Sequence, residues 1–348
     1  MSGSEHGGDH WSAGPIELDF SVNLNPLGLP AAVRAALLDQ VDRFSAYPDP
    51  QTRALRSALA DHHRVSPERV VCGNGAADLI HRLAQVVRPA QALVLAPTFS
   101  EYERAVRLVG GAVAHHRLEP DDFTVRADLL EKIQPGCRLV VVCQPNNPTG
   151  RLADPALLVE LARRCQAVDA LLLVDECFLP FSQGDSLLDR LDDCPNLVVL
   201  RAFTKLYAMA GLRLGYLVTA QRSLLERLRA WTPPWTVSAV AEAAGLAALG
   251  LGPAWIEDTR RLVARQRQSL SAGLSALGLT VTASQANYVL ARARFPLTER
   301  LAHQGLLVRD CSNFVGLDAR WHRFAVRPAP EQDRLLAVLA QLHRPSAE

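Results

Sequence analysis

Three apolar runs lie close together in the chain, RLVVVC at 138–143, ALLLV at 170–174 and NLVVLR at 196–201. Each is rich in Val or Leu, and each gives way at once to a polar segment: QPNNPTG, DEC and AFTK. Short runs of this kind, separated by stretches of helical pattern, read as strands buried on both faces. They predict an α/β fold, a mostly parallel sheet sandwiched by helices. Ligands of such open sheets bind beyond the carboxyl ends of the strands. The three polar segments therefore fall at one candidate site.

Toward the N-terminus the pattern predicts helices over 31–41, 52–63, 76–87 and 102–109, and a strand over 92–95. The texture changes near 231. A long helical region over 237–277 precedes an α+β portion with strands over 288–291 and 323–326. The expected division is an N-terminal arm with part of a small domain (1–45), a large domain (46–230) and a C-terminal small domain (231–348). A chain of 348 residues suits two cores better than one.

Composition narrows the function classes. Apolar residues make up 49% of the chain and charged residues 21%, a globular balance. Lys plus Arg, 37, nearly cancels Asp plus Glu, 36, so no basic field points to nucleic acid. No stretch of about 20 residues is both apolar and free of charge, which argues against a membrane span. The opening MSGSEHGGDHW has neither the basic flank nor the apolar segment of a secretory signal. Seven cysteines without C-x-x-C spacing suggest free or buried thiols in a reducing compartment. The expectation is a soluble cytoplasmic protein acting on a small molecule, with no metal centre.

The basic residues carry a sharper signal. Only two of the 37 are Lys, Lys132 and Lys205; the other 35 are Arg. Arg supplies charge equally well, but an imine needs a primary amine that can lose its proton. Lys132 ends a polar helical segment before Pro-Gly, a place for solvated charge. Lys205 follows an apolar strand and precedes the glycine-bearing GLRLG. Asp175 closes LLLVD thirty residues earlier, and a carboxylate at a buried strand end needs a partner. A reactive Lys beside a buried Asp is what pyridoxal phosphate requires: the Asp keeps the pyridine nitrogen protonated and the Lys carries the aldehyde.

A phosphate cradle is also present in outline. Gly73-Asn74-Gly75-Ala76 opens a helix, where free N–H groups and the dipole favour an anion. Thr204 adds a hydroxyl and Arg213 a guanidinium suited to bidentate contact. Asn147 in QPNNPTG is placed to donate to the ring's phenolic oxygen. Phe99 or Tyr102 in APTFSEY offers an aromatic face for stacking.

The ordered set GNG, PTF, NNPTG, DE, TK, GLRLG resembles the fold-type I pyridoxal-phosphate enzymes over nearly the whole chain, in the group of the histidinol-phosphate aminotransferases and threonine-phosphate decarboxylases. The resemblance implies that Lys205 is the cofactor-bearing Lys, Asp175 the partner of the pyridine nitrogen and Asn147 the contact to the phenolic oxygen. It puts Gly75, Ala76, Thr204 and Arg213 in the phosphate cradle. Tyr47, in AYPDP, matches a Tyr that reaches the neighbouring subunit's cofactor phosphate, which implies a homodimer.

Four segments are more similar to the decarboxylases than to the aminotransferases. They are His6-Gly7-Gly8 with Asn23, resembling an N-terminal substrate arm; DECFLPF, with Phe178 where the aminotransferase pattern has Tyr; PPWTVSAVA; and the C-terminal VRDCSNFVGLDARWHRFAVRP. A phosphorylated amino acid carries two anionic groups and needs two cationic clamps. Arg323 is expected on the carboxylate, and Arg309 with His6, Gly7 and Asn23 on the phosphate; Asn147 also faces substrate. Arg327, where the aminotransferases usually have Gly, has no assigned role. The implied reaction is decarboxylation of O-phospho-L-threonine to (R)-1-aminopropan-2-yl phosphate in cobalamin biosynthesis. Three alternatives stay open: a histidinol-phosphate-type aminotransferase using 2-oxoglutarate, phosphoserine as substrate, and a non-catalytic relative of the fold.

Overall fold

The computed structural model describes residues 7–11, 15–43 and 45–342. The chain opens with β1 (Leu18–Asp19), α1 (Ala31–Asp39), α2 (Arg53–His63), β2 (Val70–Gly73), α3 (Gly75–Val87), β3 (Gln91–Ala96), α4 (Ser100–Leu108) and β4 (Ala112–Arg117). It continues through α5 (Asp128–Glu131), β5 (Cys137–Cys143), α6 (Pro155–Ala167), β6 (Leu171–Asp175), β7 (Leu197–Ala202), α7 (Phe203–Leu206), β8 (Gly215–Thr219) and α8 (Arg222–Ala230). The last part holds α9 (Ala239–Leu249), α10 (Gly252–Ala276), β9 (Thr280–Val281), β10 (Tyr288–Arg292), α11 (Thr298–Ala302), β11 (Leu306–Leu307), β12 (Arg309–Asp310), β13 (Trp321–Ala325) and α12 (Ala329–Leu342).

Seven strands form one sheet in the order β2-β8-β7-β6-β5-β3-β4. The strands from β7 to β4 run parallel, whereas β8 is antiparallel to both its neighbours. The three apolar runs are β5, β6 and β7, side by side at the centre. Val140, Val142, Leu172, Val174 and Val199 pack into one core, and Leu139, Val141, Leu173, Val198 and Leu200 into another on the opposite face. Two buried faces leave no polar alternation, hence the near-continuous runs. Cys143, Asp175 and Leu200 are in register across the three strands. The segments that follow β5, β6 and β7 consequently meet at one edge.

A second, antiparallel sheet runs β12-β13-β10-β9. It packs in a third core with Phe20, Leu270, Leu274, Val289, Phe324 and Leu335. Parallel pairing of β1 with β11 ties the N-terminal segment to this part. The boundary expected at 231 lies ahead of α9, whose Ala241, Ala244 and Ala248 sit in a core of the large sheet. Helix α10 then crosses between cores, with Val263 in the first and Leu270 and Leu274 in the third.

The single helical region expected over 237–277 is two helices, bent by 86° at the break. Gly252 adopts φ +72°, and Pro253 at the start of α10 has no N–H with which to continue the ladder from α9. No single helix among the described residues is long and apolar enough to cross a membrane.

Candidate active site

A cavity of about 410 Å³ opens at the carboxyl edge of the large sheet. Asn147, Asp175 and Lys205 enter it from the large sheet, Arg309 and Arg323 from the small one, and Gly7 and Asn23 from the N-terminal arm.

Lys205 comes from α7, the single turn that follows β7, and its carbonyl accepts a hydrogen bond from Asn25 N–H at 3.0 Å. Burial, with the Arg323 and Arg213 cations nearby, pulls its amine down to about 8. A substantial fraction is neutral near pH 8, as a nucleophilic amine requires.

Asp175 is 4% exposed. Oδ1 accepts from the Cys177 N–H at 3.0 Å, and Oδ2 from the Tyr102 hydroxyl at 2.6 Å. Burial raises its proton affinity and the hydrogen-bond donors oppose that rise. Its neighbour Glu176 faces the other way. Wholly buried, it is satisfied by Ser186 Oγ, Leu187 N–H and the Arg201 guanidinium, and it lies outside this cavity.

The segment expected to cradle a phosphate lies where β2 turns into α3. Gly75 begins the helix at φ +84°, and a Cβ there would lie 2.6 Å from an Arg213 Nη. Only glycine admits both that backbone and that guanidinium. Ala76, Thr204 and Arg213 line the cavity beside the helix start, where the first N–H groups lack intrahelical partners.

At the other end of the cavity the Arg323 guanidinium donates to Asn147 Oδ1 and, at 2.6 Å, to the Ser21 carbonyl, and it lies over the Tyr288 ring at 5.5 Å. Burial lowers its pKa to about 10, and its Nε has no hydrogen-bond partner. Arg309 donates to the Asp310 carbonyl at 2.7 Å and to Asn313 Oδ1 at 2.9 Å, with its guanidinium over Phe314 at 5.2 Å. Asn23 is 1% exposed, and its Oδ1 is likewise unpartnered. Gly7 lies so close to Ser21 that an added Cβ would collide with the Ser21 carbonyl. Phe178 packs edge-on against Tyr288 at 5.0 Å and presents no hydroxyl.

Most residues singled out in the sequence thus meet at one cavity. His6 lies outside the described residues. Tyr47 is 81% exposed, away from its own chain's cavity, and stacks on Trp235 at 4.6 Å. Arg327 pairs with Glu331 at 2.7 Å and does not line the cavity. Both aromatics line the cavity: Phe99 is half-buried, and Tyr102, buried, stands edge-on to it at 5.6 Å with its hydroxyl on Asp175. Ser21 and Phe314 also line the cavity, though no motif marks either residue. Both stand inside the segments LDFSVN and RDCSNF, yet a backbone carbonyl and an apolar ring leave no pattern of their own.

An amine at about 8, a buried carboxylate and a helix start with an Arg over it fit a phosphorylated aldehyde with a basic ring nitrogen. Comparison with known proteins agrees. The chain is 38% identical to the threonine-phosphate decarboxylase of Salmonella typhimurium, over 97% of this chain and 96% of that one. It is 32% identical to a histidinol-phosphate aminotransferase of Desulfitobacterium hafniense, over 94% and 91% of the two chains. The fold superposes on the crystal structure of the histidinol-phosphate aminotransferase from Clostridium acetobutylicum with a TM-score of 0.88, covering 94% of this chain and 99% of that one at 25% identity. The cofactor is pyridoxal 5'-phosphate. With the model of aminotransferase class I and II matching residues 15–342, the chain belongs to that family.

Proposed function

We propose that the protein decarboxylates O-phospho-L-threonine to (R)-1-aminopropan-2-yl phosphate and CO2, a step of cobalamin assembly. The observation that carries this reading is the buried pair Arg309 and Arg323 on the wall of the cavity that holds Lys205. Two cations kept from water beside one amine suit a substrate with a phosphate and a carboxylate on either side of its own amine. The relative at 38% identity, named as a threonine-phosphate decarboxylase, supports it.

In this reading the helix start at Gly75 and Ala76, with Thr204 and Arg213, holds the cofactor phosphate, Asp175 holds the ring nitrogen, Asn147 the phenolic oxygen and Phe99 the ring face. When bound, pyridoxal phosphate supplies an aldehyde for the substrate amine and a ring that accepts the electrons of the breaking bond. Arg323 takes the substrate carboxylate, and Arg309 takes the phosphate with Asn23 and the Gly7 backbone. Together the two arginines fix rotation about the substrate N–Cα bond, and so decide which bond at Cα is placed to break. Lys205 would hold the cofactor, and its Nζ, able to take up a proton brought in on the substrate's ammonium group, would deliver that proton to Cα after CO2 has left. The large part, 46–230, carries the cofactor in this scheme, and the enzyme works in the cytoplasm; all seven cysteines are free and buried, as suits a reducing compartment.

We also propose a homodimer in which Tyr47 reaches the neighbouring subunit's cofactor phosphate. The exposed stack of Tyr47 on Trp235, with Trp231 52% exposed nearby in sequence, supports an aromatic surface that a second copy covers.

A second reading, a histidinol-phosphate-type aminotransferase, is favoured by the 32% relative. Incubation with O-phospho-L-threonine separates the two. CO2 and aminopropanyl phosphate formed with no keto acid present support the decarboxylase. Glutamate formed from histidinol phosphate and 2-oxoglutarate, with no CO2 from phosphothreonine, overturns it.

A further inference from the structure

We propose that Tyr102 is a positioning residue whose hydroxyl, held on Oδ2 of Asp175, keeps that carboxylate ionised and aimed at the pyridine nitrogen of the cofactor. The proposal rests on the cofactor assignment alone and is independent of which reaction follows.

Tyr102 is 2% exposed, and its hydroxyl lies 2.6 Å from Oδ2, within the range of a charge-assisted O–H···O⁻ bond. The two residues are 73 positions apart, on α4 and at the end of β6, so the contact is made by the packing of α4 on the sheet. Phe99 and Tyr102 both line the cavity, edge-on to each other, and it is Tyr102 whose hydroxyl is committed to the carboxylate. Oδ1 is already fixed by the Cys177 N–H.

The electrostatics give this contact its purpose. A carboxyl group in so dry a place is driven by burial toward its neutral form. Neutral, it cannot balance a protonated ring nitrogen. Donation from a phenol stabilises the anion without adding a charge, and the phenol keeps its own proton because burial and the adjacent carboxylate raise its pKa. Removing the hydroxyl makes Asp175 more basic, which would favour the neutral carboxyl over the anion that balances a protonated ring nitrogen.

The test compares two ligands on the apoprotein, read as dissociation constants. One is pyridoxal 5'-phosphate; the other is its carba analogue, in which C–H replaces the ring nitrogen. Tyr102→Phe keeps the buried ring and deletes only the hydroxyl. It is expected to weaken pyridoxal phosphate by about tenfold, the scale of one hydrogen bond to a charged group, and to leave the analogue within about twofold. Equal losses for both ligands would show a merely structural role and overturn the proposal, as would no loss for either. Should the Phe variant fold poorly, 3,5-difluorotyrosine at position 102 keeps the shape and donates more strongly. It is expected to shift binding of pyridoxal phosphate but not of the analogue, and equal behaviour of the two ligands again counts against the idea.

Discussion

Arg309 and Arg323 stand directly opposite each other across the antiparallel pair β12 and β13. Like charges in that relation repel, and here both side chains are buried, at 5% and 6% exposure. Part of the downward pull on Arg323 comes from Arg309 itself. In the proposed reading these two buried, facing cations take the carboxylate and the phosphate of the substrate.

Arg309→Ala is therefore expected to raise KM for O-phospho-L-threonine by roughly a hundredfold, the loss of about two charge-assisted hydrogen bonds, while pyridoxal phosphate binds as before. Arg309→Lys should recover only part of the loss, because a point charge does not reproduce the guanidinium fork. Steady-state CO2 release and a cofactor titration check the two halves.

The outline of this site is legible in the sequence where the physics is local. The apolar runs of β5, β6 and β7 mark the sheet centre because both of their faces are buried, and the scarcity of Lys marks Lys205. Strand β8 leaves no comparable mark, since it begins on the last residue of GLRLG and its direction is set by pairing with β2 and β7. Nor does any local pattern give Tyr102 its bond to Asp175 or Arg323 its bond to the Ser21 carbonyl, contacts that span 73 and 302 positions. The facing of Arg309 and Arg323 is likewise a matter of strand register.

The Lys205 amine, brought down to about 8, sets a pH dependence for cofactor loading. Only the neutral amine attacks an aldehyde, so the rate of pyridoxal phosphate uptake by the apoprotein should rise with pH and level off above about 8. An unperturbed lysine would keep rising toward 10.5. Stopped-flow absorbance across pH 6 to 10, a range of about four units around that midpoint, reads the difference.

The cradle depends on Gly75. Gly75→Ala puts a methyl where Arg213 lies and forces a side chain into a left-handed backbone, a strain on the order of 1–3 kcal/mol. Cofactor affinity is expected to fall tenfold or more with the far-ultraviolet circular dichroism unchanged. Equilibrium titration of the variant apoprotein provides the check.

The N-terminal arm is held by the Gly8 N–H on Ser21 Oγ at 2.7 Å and by His10 on Asp19 at 2.9 Å. Gly7→Ala drives a methyl into the Ser21 carbonyl, to which Arg323 also donates. This variant should raise KM for the substrate by about tenfold, one hydrogen bond to a charged group, and leave cofactor affinity intact. Kinetics and cofactor titration on the same preparation separate the two effects.

The central claim is the covalent link between cofactor and Lys205, and the chain makes it simple to test, since Lys132 is the only other lysine. Borohydride reduction of the holoenzyme, followed by proteolysis and mass spectrometry, should find the pyridoxyl group on the peptide containing Lys205 and nowhere else. A label on Lys132 or on the N-terminal amine, with Lys205 unmodified, would contradict the account.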